Sequence, residues 1–100
     1  MRIDFLEKYA TNGKHYDINK EIDKALDSNI ILIRAIAIDH NMVNKEHLDK
    51  ALNDPSEYVR ANAALNTNGT KEHLDKALKD ENFSVHTAAK NNKRYKKYYS

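Results

Sequence analysis

The chain has 100 residues, 40% apolar and 32% charged, with a net charge of +2 and no cysteine. This balance suits one folded domain with a modest core and is too apolar for disorder. The small net charge does not by itself imply a nucleic-acid partner, and the missing cysteines exclude disulfides, cysteine zinc sites and thiol nucleophiles.

In chain order, Arg2 to Ala10 is predicted as a first helix. Ile3, Leu6 and Ala10 share one face, with Phe5 and Tyr9 beside them. Thr11-Asn12-Gly13 stops it. Asp17 is placed to cap a second helix whose stripe is Ile18, Ile22, Ala25 and Leu26, ending near Asp27. Asn29 to His40 is the most apolar stretch. Its β-branched run could suit a strand, but its length and its counterpart one period later predict a helix. Ile30–Ile38 is apolar on nearly every side, so either the first helix or another chain is expected to cover it. Asp54, with Pro55 and Glu57 behind it, predicts the cap of a helix running to Asn66. Asn66-Thr67-Asn68-Gly69 is a second left-handed stop. Thr70 caps the next helix, and Asp80 caps a last one from Glu81 to about Asn92. Lys93–Ser100 either extends it or frays.

One phrase organises all of this. Lys45–Leu52 reads KEHLDKAL, Lys71–Leu78 repeats it 26 residues later, and Asn19–Leu26 is a fainter copy, NKEIDKAL. Repetition at this period marks a stack of similar units. Aligned at that offset, Ile22, Leu48 and Leu74 form one column. Others are Ala25, Ala51 and Ala77; Leu26, Leu52 and Leu78; Ile33, Val59 and Val85; and Ala37, Ala63 and Ala89. These columns are the expected core.

Asp54-Pro55-Ser56-Glu57-Tyr58-Val59-Arg60, followed by Ala63, Asn66, Glu72, Leu74 and Leu78, resembles the leucine-rich repeat variant and the related HEAT-like α-solenoids. The resemblance covers roughly Asp17–Asn92. The Asp-Pro start becomes Ser28-Asn29 in the first unit and Asp80-Glu81 in the last, and the arginine column runs Arg34, Arg60, His86. The resemblance implies an all-α, right-handed solenoid of about seven helices spanning residues 1–93. It would comprise a half unit at 1–16 and units at about 17–43, 44–69 and 70–93, with a basic, tyrosine-rich tail at 94–100. It also implies a binding scaffold with no shared active site. In such repeats the arginine commonly bonds the aspartate at the preceding helix start, and Asp54 and Arg60 have that spacing, so Arg60 is expected on Asp54.

Candidate chemistry is sparse. His47 and His73 share a column and should sit on the order of 10 Å apart, too far for one zinc. They are read as solvated, and no metal or cofactor is expected. No paired carboxylates, Ser/His/Asp set or phosphate loop marks an enzyme. The columns Ile31, Glu57, Phe83 and Leu32, Tyr58, Ser84 do not hold a residue type, so Ile31, Leu32, Glu57, Tyr58 and Phe83 are the candidate protein-binding residues, for a partner protein or a second copy of the chain. Lys93, Arg94, Tyr95, Lys96 and Lys97 combine cations with rings and give the alternative, a nucleic-acid-binding solenoid. Against it stands a plain role as a polar end cap. The Asn-, Lys-, Ile- and Tyr-rich usage suggests an AT-rich genome, hence a regulator or inhibitor from a phage or mobile element. MRIDFLEKY lacks the apolar run of a signal peptide and no stretch approaches the ~20 apolar residues of a membrane span, so the expected location is the cytoplasm, the host's if the source is viral.

Overall fold

A computed structural model describes residues 17–99. The first helix predicted at Arg2–Ala10 and its Thr11-Asn12-Gly13 stop lie outside the described residues. Within them the chain is all-helical, with seven helices and no strand. These are α1 (Ile18–Leu26), α2 (Ile31–Ile38), α3 (Lys45–Ala51), α4 (Glu57–Leu65), α5 (Lys71–Leu78), α6 (Phe83–Asn91) and α7 (Tyr95–Tyr99). None is long and apolar enough to cross a membrane.

The expected columns are the core. Leu48, Val59, Val85 and Ala89 are fully buried, and Ile22, Leu26, Ala51, Leu52, Ala63, Leu74 and Ala77 are nearly so. Small side chains let helices approach closely, and alanine lines the contacts along the series α2, α4, α6, in which each helix packs on the next. The β-branched run of α2 is helical because tertiary burial of Ala35, Ala37 and Ile38 outweighs local propensity. Ile33 departs from its column: it is exposed, although Val59 and Val85 are not.

Two predicted helix starts move downstream. Asp54 does not cap α4. Its Oδ1 accepts the Ser56 N–H at 2.8 Å, and Ser56 is the cap, accepting from the Tyr58 N–H. Asp80 likewise accepts the Asn82 N–H at 2.8 Å, and Asn82 caps α6. Both aspartates close a tight side-chain turn just before the helix, with their remaining acceptor capacity committed to arginines. The stop after α4 also differs from expectation. Asn66 leaves the helix in an extended conformation, and its Oδ1 accepts the Asn68 N–H. Gly69 sits in a tight place: a Cβ there would lie 3.2 Å from the Cβ of His73 and 3.3 Å from Leu48 Cδ1.

The polar contacts recur at the period of the sequence. Asn66 Nδ2 donates to the carbonyls of Ile38 and His40, and Asn92 Nδ2 donates to those of Ala64 and Asn66. Arg34 pairs with Asp54, and Arg60 with Asp80. His47 Nε2 meets Asp23, and His73 Nε2 meets Asp49. Asn66 and Asn92 thus satisfy carbonyls that lie 26 to 28 residues before them.

Candidate protein-docking edge

The candidate residues sit in the first turns of α2, α4 and α6. What sets those turns in register is an arginine–aspartate ladder. Arg34 Nε and Nη2 donate to both Asp54 carboxylate oxygens, at 2.8 and 3.1 Å, while Nη1 donates to the Ser28 carbonyl at 2.8 Å. Arg60 Nε donates to Asp80 Oδ2 at 2.9 Å, and Nη1 to the Asp54 carbonyl at 2.8 Å. The expected bond from Arg60 to Asp54 is made at the Asp54 carbonyl, while the carboxylate that Arg60 binds is that of Asp80. Each arginine grips the backbone of its own turn and the carboxylate of the next unit's turn, and the planar guanidinium serves both at once.

The ladder's charges are fixed by these bonds. Burial works against the Asp54 carboxylate, but the Arg34 hydrogen bonds, the Ser56 N–H and the charges of Arg34 and Arg60 outweigh it and hold the carboxyl below the usual range. At Asp80 burial is again opposed, first by the Asn82 N–H and then by Arg60, with the same result. The hydrogen bond to Asp54 makes Arg34 more basic than a free guanidinium, against the opposing effect of burial. Neither aspartate is poised to exchange a proton near neutral pH, so the ladder positions helices and does not perform acid–base work.

On this frame the candidates face outward. Leu32 is 66% exposed, Tyr58 67% and Phe83 82%. Ile31 is also exposed, Glu57 is half-buried, and Ser84 is exposed. Equivalent first-turn positions follow one another at the helix spacing, about 8–10 Å. The result is an apolar row with polar interruptions, held on three helix ends.

His47 and His73 were expected to be solvated; instead His47 is buried and His73 half-buried. The Asn44 N–H donates to His47 Nδ1 at 3.0 Å while Asn44 Oδ1 accepts the His47 N–H, a capping box with imidazole where Glu or Gln is usual. Thr70 and His73 repeat it. With Nδ1 accepting, the proton is assigned to Nε2, which donates to Asp23 or Asp49. Thr70, His73 and Asp49 line up in the order of a hydrolytic triad. Asn44 fills the hydroxyl's place one unit earlier, so the arrangement is a cap and cross-tie. The signal was legible: Asn44-x-x-His47 and Thr70-x-x-His73 have capping-box spacing, and the aspartates keep one column.

The tail continues the period. Tyr99 stands 26 residues after His73, and its hydroxyl donates to Asp75, which stands 26 after Asp49. Arg94 donates to the Thr67 carbonyl, as Asn68 one unit earlier donates to that of Asn41. Tyr98 and Tyr99 pack on the core, and Tyr95 stacks on Tyr99 with ring centroids 4.9 Å apart. Of the five nucleic-acid candidates, Lys93, Lys96 and Lys97 are exposed, whereas Arg94 and Tyr95 are half-buried in α7 and its approach. The tail therefore neither extends α6 nor frays, as was expected of it: Asn92 is extended, and Tyr95–Tyr99 forms the separate helix α7.

Among the described residues, no group of three or more His, Asp or Glu converges on a common point as a metal site would require. No family model, curated protein or solved structure matches this chain.

Proposed function

We propose that this chain is a small, non-enzymatic protein-binding module, a short right-handed solenoid of the HEAT-like or leucine-rich-repeat-variant kind. The observation that carries this reading is the exposure of Leu32, Tyr58 and Phe83 in the first turns of α2, α4 and α6, which the arginine–aspartate ladder sets in register. Aromatic and aliphatic side chains clustered this way are the usual anchors of interfaces. Recurrence of the asparagine, arginine and histidine bonds at the sequence period supports the stacked-unit architecture. The partner is a protein presenting a complementary apolar strip, and the residue usage supports a regulator or inhibitor from a phage or mobile element. The nucleic-acid alternative has less support, because the tail's arginine and tyrosines are engaged within the fold.

The double substitution Leu32→Glu with Phe83→Ser tests the reading. Both side chains are exposed, so the variant should keep the wild-type helical circular dichroism and melting temperature within a few degrees, as surface changes do. Proteins captured specifically by the wild type should be lost from the variant, by about tenfold or more in affinity if either residue is an anchor. Sedimentation of both forms separates self-association from capture of a foreign protein. Unfolding of the variant, or undiminished capture by it, would remove the edge as the interface.

A further inference from the structure

Asn68 ties the turn after α4 to the turn after α2. Its Nδ2 donates to the carbonyls of Asn41 and Val43, 27 and 25 residues upstream and both at 2.8 Å, so both amide hydrogens are engaged. Its own N–H donates to Asn66 Oδ1, also at 2.8 Å. One period later Arg94 holds the corresponding place and donates to the Thr67 carbonyl at 2.9 Å. A side-chain donor at this position therefore joins successive turns in both units. Of the two donors, the asparagine alone can lose its donor group by a reaction within its own backbone.

The residue after Asn68 is Gly69. Without a Cβ, glycine leaves its nitrogen open to the preceding side chain and free to take the conformation that ring closure needs. The Gly69 nitrogen attacks Asn68 Cγ, and the new N–Cγ bond closes a five-membered succinimide. The Cγ–Nδ2 bond breaks, and ammonia leaves with the proton that the Gly69 nitrogen gives up. Water then adds to one of the two ring carbonyls. Opening at Cγ yields aspartate. Opening at the main-chain carbonyl yields isoaspartate, whose backbone runs through Cγ and is one carbon longer. Either product carries a carboxylate where the amide donor stood, and water is the only co-reactant.

We propose that Asn68-Gly69 is a site of spontaneous deamidation, closed while the turns after α2 and α4 are joined and open when they part. Ring closure expels the nitrogen that makes both bonds to Asn41 and Val43, so the tie must be given up for the reaction to proceed. The turn also has little room to rearrange, because a Cβ on Gly69 would lie 3.2 Å from His73 Cβ and 3.3 Å from Leu48 Cδ1. Reaction therefore proceeds from locally opened forms. Once formed, the product does not restore the tie. A carboxylate at position 68 faces two carbonyl oxygens, acceptor against acceptor, and those carbonyls lose their donor. Modification converts a transient parting of two units into a permanent loosening. The inference rests on this turn alone and does not depend on the partner-binding edge.

The full-length protein, incubated in mildly alkaline buffer with and without denaturing urea, tests this. Trypsin releases Asn68 in the peptide Ala61–Lys71, where Asn62 and Asn66 serve as internal controls, while Asn12-Gly13 falls in the separate peptide Tyr9–Lys14. Fragment mass spectrometry then follows each asparagine. Asn68 should convert to aspartate and isoaspartate in urea, ahead of Asn62 and Asn66, and more slowly in the native protein, on the order of tenfold or more, because reaction there waits on opening. The variant Asn68→Asp, which carries one product from the start, should keep its helical signal and melt several degrees below the wild type for want of the two bonds. Equal rates with and without urea, or no conversion of Asn68 in urea, would overturn the proposal. So would an Asn68→Asp variant that melts with the wild type.

Discussion

Leu48→Ala should cost about 2–5 kcal/mol, the range for emptying a buried leucine site. Leu48 has no exposed surface, and the contact of its Cδ1 with the position above Gly69 leaves little slack for collapse. A domain of this size has roughly 5–15 kcal/mol in total, so the melting temperature should fall by about 10 °C or more. Two residues along the same helix, Lys50 lies on the outer face and pairs with Asp27 where both side chains are more than half exposed. Such pairs are worth about 0–1 kcal/mol, so Lys50→Ala should melt close to the wild type. Comparable losses from the two substitutions, measured by thermal and urea denaturation, would contradict the assignment of core and surface columns.

Asp80→Asn should cost about 1–3 kcal/mol near neutral pH, because it removes the charge that Arg60 binds in a largely buried position. The cost depends on pH in a definite direction. The carboxyl is held below its ordinary value in the folded protein. Its contribution is therefore complete above the unfolded value of about 3.9 and is lost as pH falls through the lower folded value. Wild type and variant should differ most at about pH 6 and converge toward about pH 2. Urea melts of both proteins across that range check the effect, and a difference that persists undiminished in strong acid would show that Arg60 is not held by the Asp80 charge.

The parts of the fold written in apolar residues were legible from the sequence. The columns of Leu, Val and Ala sort side chains by burial, and burial is what periodicity reports. Asp17 and Thr70 were read correctly as caps because each precedes its helix directly. Asp54 and Asp80 were misread because an aspartate before a helix can serve either as cap or as the head of a tight turn. The choice is made by an arginine 20 residues upstream, which no local pattern reveals. His47 and His73 were read as solvated because a histidine among Lys, Glu and Asp looks like surface. Only the helix stacking shows that their Nε2 atoms meet carboxylates of the unit before. The exposure of Leu32, Tyr58 and Phe83 was legible for the opposite reason: their columns do not hold a residue type. The tail was misjudged because tyrosine replaces histidine in its column, so the period was hidden by a change of residue type.

The most direct test of the repeating architecture is to remove one period. Deleting Lys45–Thr70 takes out 26 residues and joins Asn44 to the second KEHLDKAL. In the shortened chain Arg34 would face Asp80 and the Asn92 amide would face the Ile38 carbonyl, each pairing already present in kind. The account predicts a cooperative thermal transition at a lower midpoint, with helical signal per residue close to that of the full chain, as expected when units interact mainly with their neighbours. Loss of the helical signal, or melting without a cooperative transition, would contradict it.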